Sequence, residues 1–274
     1  MVYAAILPSS LLATRAPARL RGASPWLAGI VPLAVVGAWL ATTSVARVFP
    51  AHQLPSPWQV LATAGELARG GELWRHVAAS VSRIAAGFAV GATAAVVAGA
   101  LVGLSRTVET LIDPTLQVVR NVPSLAWVPF LLLWMGIDEA PKIALIAIGG
   151  FFPVYLNLVT GIRNVDRKLL EVGAVFGLTA FEQVRRIVWP SALPYLLAGL
   201  RIGIGQSWLF LVAAELIAST RGLGYLLIDG QATARPDLML VGILVLAGLG
   251  KLSDAGLRRI ERRVLGWSDA FEGR

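Results

Sequence analysis

Few side chains in this sequence are arranged for chemistry. It contains no cysteine, which excludes disulfides, thiolate nucleophiles and Cys-ligated metals. The two histidines, His52 and His76, stand outside any His-Glu-x-x-His or paired-ligand spacing, so no metal site is expected. No Gly-rich loop ends in Gly-Lys-Ser or Gly-Lys-Thr, and the chain therefore has no Walker-type ATP site of its own. The serines lack a nucleophile-elbow context. An acid–base reaction at a membrane surface could draw only on His76 with Glu72, or on Asp138 with Glu139. Both pairs read more simply as loop residues. No catalytic residue is expected, and any energy consumed must come from a partner.

The polar residues that stand out lie within or beside apolar runs. Glu215 is a candidate to line a pathway or gate, against the plainer reading of a carboxylate hydrogen-bonded between helices. Arg201 is a second candidate, and its plainer reading is a side chain snorkelling to the headgroups. Arg120 and Asn121 precede Pro123, where a distorted helix can expose backbone groups to a water-filled cavity; a kink used only for packing is the equal alternative. Trp127, like Trp134 and Trp208, is more often a lipid-belt or core residue than a solute contact.

The elements that must carry these residues follow from composition. Of 274 residues, 56% are hydrophobic and 15% charged, with mean hydropathy +0.71; soluble domains carry roughly 25% charged residues. Long uncharged runs indicate an all-α polytopic membrane protein with about six transmembrane helices. The spans are expected near 26–46, 77–104, 116–135, 143–162, 193–217 and 238–252. The third is interrupted by Pro123 and Pro129. An amphipathic helix is expected after Pro57, and a loop containing Gly222 and Gly224 ahead of the sixth span. Gly87-x-x-x-Gly91, Gly99-x-x-x-Gly103 and Gly199-x-x-x-Gly203 permit close helix approach.

The chain accordingly divides into a tail (1–25), a first transmembrane helix with an extracytoplasmic amphipathic segment (26–76), a polytopic core (77–255) and a basic tail (256–274). Fifteen of the 24 Lys and Arg fall in the tails, in the loops after spans two and four, or, for Lys251, at the inner edge of span six. The positive-inside rule then places both termini in the cytoplasm. The net charge of +8 is explained by topology, and no nucleic-acid partner is expected. The N-terminus is apolar first and basic later, unlike a cleavable signal.

The longest polar interruption of the apolar region is Glu171 to Pro194, within the loop 163–191. Leu169, Gly173 and Phe176 recur at helical spacing, and Gly177 stops that helix. Thr179 and Glu182 form a capping box that starts another. Pro190 is expected to end the second helix, with Ser191 capping the next run. A helical pair with a basic rim, held between two spans, is suited to gripping another protein.

This stretch resembles the loop of binding-protein-dependent ABC import permeases, written Glu-Ala-Ala, three residues, Gly, nine residues, Ile, one residue, Leu-Pro. Here Glu171-Val172-Gly173, Gly177, Ile187 and Trp189-Pro190 fall in that register. Val172 and Gly173 replace the alanines, and Trp189 replaces leucine. Further stretches resemble the aliphatic-sulfonate, taurine and nitrate branch: Gly71 to His76, Leu133 to Asp138, Phe151 to Val154, Gly161 to Asn164, Gly199 to Ile202, Ala213 to Ile217 and Arg221 to Tyr225. Val119 to Pro123 and Gly161 to Arg167 look most like the sulfonate members.

The resemblance implies a type I ABC importer permease fold in the bacterial cytoplasmic (inner) membrane. It implies a homodimer, two cytoplasmic ATPase subunits that bind the ATP and Mg, and an extracytoplasmic solute-binding protein. The permease itself would need no cofactor. Glu171, Gly173, Gly177, Arg185, Arg186, Ile187 and Pro190 would form the ATPase-coupling region. The solute would be a small organic anion, with aliphatic sulfonates ahead of taurine, nitrate or bicarbonate. Two rivals from other classes are a small polytopic membrane enzyme acting on lipids, and a stand-alone channel. The enzyme would have to rely on the His76–Glu72 or Asp138–Glu139 pair, and the channel would leave the helical pair without a role.

Overall fold

The structure is a computed structural model and describes residues 27–46 and 48–266. The expected N-terminal tail, Trp26, Arg47 and the end of the basic tail (267–274) lie outside the described residues. The chain forms two units, 1–57 and 58–274. In the first, α1 (Leu27–Leu40) runs into a wide π turn at Ala41–Val45. Thr42 and Thr43 return their hydroxyls to carbonyls one turn back, and Trp39 Nε1 donates to Pro55 O at 3.0 Å. This helix is apolar but shorter than the other candidate spans.

The second unit is helical throughout its described residues. After α2 (Pro57–Arg69) come α3 (Glu72–Leu104), α4 (Arg106–Asn121), α5 (Val128–Met135), α6 (Glu139–Arg163) and α7 (Arg167–Val175). Then follow α8 (Ala180–Gln183), α9 (Trp189–Ala218), α10 (Leu223–Ala232) and α11 (Pro236–Val264). Four stretches are long and apolar enough to cross a membrane: α3, α6, the run from Ala180 to Ile217, and α11. The expected third span is a pair of helices, α4 and the Ser124–Met135 segment, bent by 92°. Pro123 has no N–H to continue the ladder, and Val122 ahead of it turns extended.

The core is a three-helix seam with α6 in the middle. Glycines on α3 and α9 bring the backbones together. A Cβ at Gly87 would sit 2.6 Å from Ile146 Cβ, one at Gly103 would sit 2.8 Å from Ile162 Cδ1, and one at Gly91 would run into the Ala147 backbone. On the other flank, a Cβ at Gly199 would meet Asn157 Cβ at 2.8 Å and one at Gly203 would meet Gly150 O at 3.0 Å. All three Gly-x-x-x-Gly pairs therefore pack helices within this chain. Around them Ala95, Val154, Tyr155, Leu158 and Ala192 are completely or almost completely buried. Tyr155 also donates to Asp113 Oδ1 at 2.6 Å, fastening α4 to α6.

Three expectations need correction. Pro190 does not end a helix, and Ser191 does not cap one: helix runs from Ala180 to Ala218, passing Pro190 through a π turn at Val184–Val188. The wider turn makes room for the pyrrolidine ring against the preceding carbonyls. The loop expected around Gly222 and Gly224 is largely α10. The boundaries placed at 77 and 256 fall inside α3 and α11, which begin earlier and end later than their most apolar residues.

Gly91→Val should lower the thermal unfolding midpoint of the purified chain in detergent, with a cost of about 1–3 kcal/mol from overpacking. Gly250→Ala, which opens onto empty space, should leave it unchanged or slightly raised. Equal midpoints for both variants would refute the seam.

Candidate functional sites: an exposed helical hairpin and a buried charge cluster

The hairpin between α6 and α9 is built by local signals. Asp166 accepts from Lys168 N at 2.9 Å and starts α7. Gly177 ends it with φ +72°. Its N–H donates to Ala174 O at 2.9 Å, and Leu178 N–H donates to Gly173 O at 3.0 Å, which is a Schellman closure. Thr179 accepts from Glu182 N, while Glu182 Oε2 accepts from Thr179 N at 3.0 Å, so the expected capping box is present. Gly173 lies buried beneath Ile187, where a Cβ would come within 2.7 Å of Ile187 Cδ1. The glycine that replaces the alanine of the resembled loop thus lets the two limbs close.

The expected coupling residues fall into two groups. Gly173, Ile187 and Pro190 are buried or half-buried and shape the hairpin. Glu171, Gly177, Arg185 and Arg186 are exposed, with Arg186 Nη2 3.4 Å from Glu182 Oε1. Sequence reasoning missed the most prominent side chains. Val175, Phe176 and Phe181 are 86%, 80% and 74% exposed. Large apolar groups grouped on a solvent-facing hairpin mark an interaction surface. The signal was available in part: Val175, Phe176 and Phe181 flank the Gly177 stop and the Thr179 cap that mark the tip of the hairpin.

At the opposite end of α6, about 37 Å away along a 25-residue helix, lies a buried charge cluster. Arg83 grips Glu139 with both edges of its guanidinium, Nε to Oε2 at 2.5 Å and Nη2 to Oε1 at 2.6 Å. Its Nη1 donates to Glu215 Oε1 and to Arg221 O, each at 2.7 Å. Lys142 Nζ adds a 3.2 Å contact to Glu139. The Arg83 side chain is 3% exposed and that of Glu215 fully enclosed. Two cations and two carboxylates balance, which is what allows Arg83, Lys142 and Glu215 to be buried, while Glu139 stays partly open with its side chain 44% exposed.

The same cluster holds the start of α10. The N–H groups of Gly222, Leu223 and Gly224 donate to His76 Nδ1, Ser80 Oγ and Glu215 Oε2 at 3.0, 2.8 and 2.7 Å. These are orphan donors of a helix N-terminus, and all three are satisfied by α3 and α9. Gly222, at φ +133°, has no room for a side chain because a Cβ would strike the Glu215 carboxylate. Beside the cluster opens a cavity of about 1020 Å³, with Arg75, His76, Arg83, Glu139, Arg221 and Asp229 among its polar walls.

None of the expected pathway residues lines this cavity. Glu215 is locked inside the cluster. Arg201 does not reach for headgroups; it pairs with Asp254 at 2.7 Å and approaches Glu261 at 3.7 Å, tying α9 to α11. Arg120 and Asn121 are exposed beside the 92° bend, and Trp127 is half-buried against Phe130, Leu131, Leu145 and Ala214. The residues an enzyme would need are committed elsewhere: His76 Nδ1 accepts from a backbone N–H, and Glu139 is held by Arg83 and Lys142. Among the described residues no three His, Asp or Glu are grouped to hold a metal.

Comparison with known proteins adds the following. Residues 87–266 match the model of the binding-protein-dependent transport system inner membrane component family. The chain is 40% identical to the aliphatic sulfonates transport permease protein SsuC of Bacillus subtilis over 249 residues, covering 90% of each. It is 36% identical to the taurine transport system permease protein TauC of Escherichia coli, covering 84% of this chain and 85% of that one. Among solved structures, an inward-facing MetNI methionine ABC transporter aligns with 70% of this chain and 97% of its own at TM-score 0.54 and 21% identity. That last likeness establishes a shared fold.

Glu215→Ala should leave Arg83, the Ser80 hydroxyl and the Gly224 N–H short of an acceptor and cost about 3–5 kcal/mol of stability. The double variant Arg83→Met/Glu215→Met should lose less than the sum of the two single changes, read as unfolding midpoints in detergent. Strict additivity would show that the two side chains do not act as a unit.

Proposed function

The chain belongs to the family of binding-protein-dependent transport system inner membrane components, within its aliphatic-sulfonate, taurine and nitrate branch, and on that footing we propose that it forms the translocation pathway for aliphatic sulfonates. It is a non-enzymatic ABC importer permease of the type I fold. In the proposed assembly two copies face one another, each seated on a cytoplasmic ATPase subunit that binds ATP and Mg, beneath an extracytoplasmic binding protein that delivers the solute. Both termini and the 163–191 hairpin face the cytoplasm.

The observation that carries the coupling part of this reading is the hairpin. Its backbone is closed by its own caps and by the Gly173–Ile187 contact, so its shape does not wait for a partner. Its outer surface presents Phe176, Phe181 and Val175 beside Glu171 and Arg185, which is apolar anchor and charged rim together. A groove on the ATPase that buries the aromatics would grip it. Its likeness to the aliphatic sulfonates permease of Bacillus subtilis supports the choice of solute.

Phe176→Ala/Phe181→Ala and Glu171→Lys should each weaken capture of the ATPase by about 30-fold or more, at roughly 2 kcal/mol for losing a buried anchor. Membrane insertion should remain intact. Pull-down of the ATPase and uptake measured on the same membranes check this, and normal uptake in both variants would sink the coupling role.

For the solute, cells relying on this chain should take up labelled alkanesulfonate, and excess unlabelled alkanesulfonate should compete more strongly than taurine, nitrate or bicarbonate. Stronger competition by any of those three would replace sulfonate in this reading and leave the permease role standing.

A further inference from the structure

The last helix, α11, carries a surface that neither the hairpin nor the charge cluster uses. Of the four long apolar helices it is the least buried, 17% of its apolar window against 33–44% in the others. One face is committed to the protein. Asp254 pairs with Arg201 and Arg258, Glu261 is buried near Arg201, and Leu257 packs on the cluster of Ile84, Ile146, Ile204 and Leu211. At about 100° per residue, Leu252, Gly256, Arg259 and Arg263 lie on the opposite face.

That face is open. Leu252 is 68% exposed, a Cβ added at Gly248 or Gly256 meets nothing within 4 Å, and Arg259 and Arg263 are exposed. Among the described residues neither arginine makes an ion pair, although Arg258 beside them does. The stripe therefore changes character along its length, from apolar and shallow at 248–256 to doubly cationic at 259–263.

Its height matches a bilayer. Helix α11 has 29 residues and is about 43 Å long. About 20 residues cross ~30 Å of hydrocarbon. Twenty residues counted from Leu238 end at Leu257; the stretch contains two charged residues, Lys251 and the Asp254 that pairs with Arg201, and Arg259 and Arg263 follow it at the level of the lipid phosphates.

We propose that the outward stripe of α11 is a binding site for an anionic phospholipid, its phosphate between Arg259 and Arg263 and an acyl chain laid over Gly256, Leu252 and Gly248. The inference rests on the reading of α11 as a membrane span and is independent of which solute is carried. Two guanidiniums one helical turn apart can both reach a single phosphate group. Gly248 and Gly256 leave the acyl chain room on either side of the exposed Leu252, which offers it an apolar contact. Nearby Arg262 adds to the local positive potential.

The test uses the full chain purified in detergent and titrated with dioleoyl-phosphatidylglycerol or dioleoyl-phosphatidylcholine. The thermal midpoint and lipid retained in native mass spectrometry are the readouts. Phosphatidylglycerol should raise the midpoint saturably and remain bound, whereas phosphatidylcholine and inorganic phosphate should not. Arg259→Gln/Arg263→Gln should bind the anionic lipid roughly 30-fold more weakly, at about 1 kcal/mol per charge. Arg259→Lys/Arg263→Lys should restore most of the effect.

Equal shifts from both lipids, a shift from phosphate alone, or an undiminished shift in the Gln variant would overturn the site. If the Gln variant does not fold, wild type and the Lys variant still decide, because a site requires both to prefer the anionic lipid. A Gln variant that keeps the lipid shift but loses a copurifying ATPase would assign the face to a protein contact instead. Uptake is not a readout of any arm, so failure here leaves the permease role to its own tests.

Discussion

The second unit depends on how closely its backbones approach α6. At Gly87, Gly91 and Gly103 on one side, and at Gly199 and Gly203 on the other, a single added carbon would overlap the facing helix. In lipid there is no hydrophobic force to draw helices together, so contact area and packing decide which helices associate. Removing side chains from one seam lets dispersion act over a long line of contacts. That seam fixes the separation and crossing of α3, α6 and α9, and both candidate sites are positioned at its ends.

At one end, ionic and hydrogen-bond chemistry takes over from packing. The cluster of Arg83, Glu139, Glu215 and Lys142 joins α3, α6 and α9, and Glu215 together with the neighbouring His76 and Ser80 accepts three backbone N–H groups of the α10 start. Separating any of these elements would strand a charge or a backbone donor away from water. The cluster therefore discourages independent motion of these four segments at this end. At the other end, the hairpin is fixed by caps and a single tight Gly173–Ile187 contact, which leaves its aromatic side chains free for another surface.

What the sequence made legible was local. Gly177, Thr179 and Glu182 announce themselves within a few residues of what they do, and the hairpin they build was readable. The three Gly-x-x-x-Gly pairs were readable as packing surfaces, although not which helices they join. The charge cluster was not readable, because Arg83 finds Glu139 and Glu215 at separations of 56 and 132 residues. Helix α10 was hidden by its own glycines. Gly222 and Gly224 look like loop punctuation, yet they are small because the Glu215 carboxylate lies against them. Pro190 misled for a related reason: a proline usually stops a helix, and only the neighbouring turns reveal a register shift that lets it pass. Arg201 was visible as unusual, but its acidic partners sit 53 and 60 residues further on.

The uninterrupted helix past Pro190 has a mechanical consequence. The 38 residues from Ala180 to Ile217 make a rod about 57 Å long, with Phe181 at one tip and Glu215 at the other. Tilted by about 5° around its midpoint, such a rod sweeps each tip through roughly 2.5 Å in opposite directions, more than a hydrogen bond tolerates. A small rocking of the aromatic tip thus arrives at the far tip as a lateral stroke large enough to reset the bonding there, with the glycines at 199 and 203 near the fulcrum.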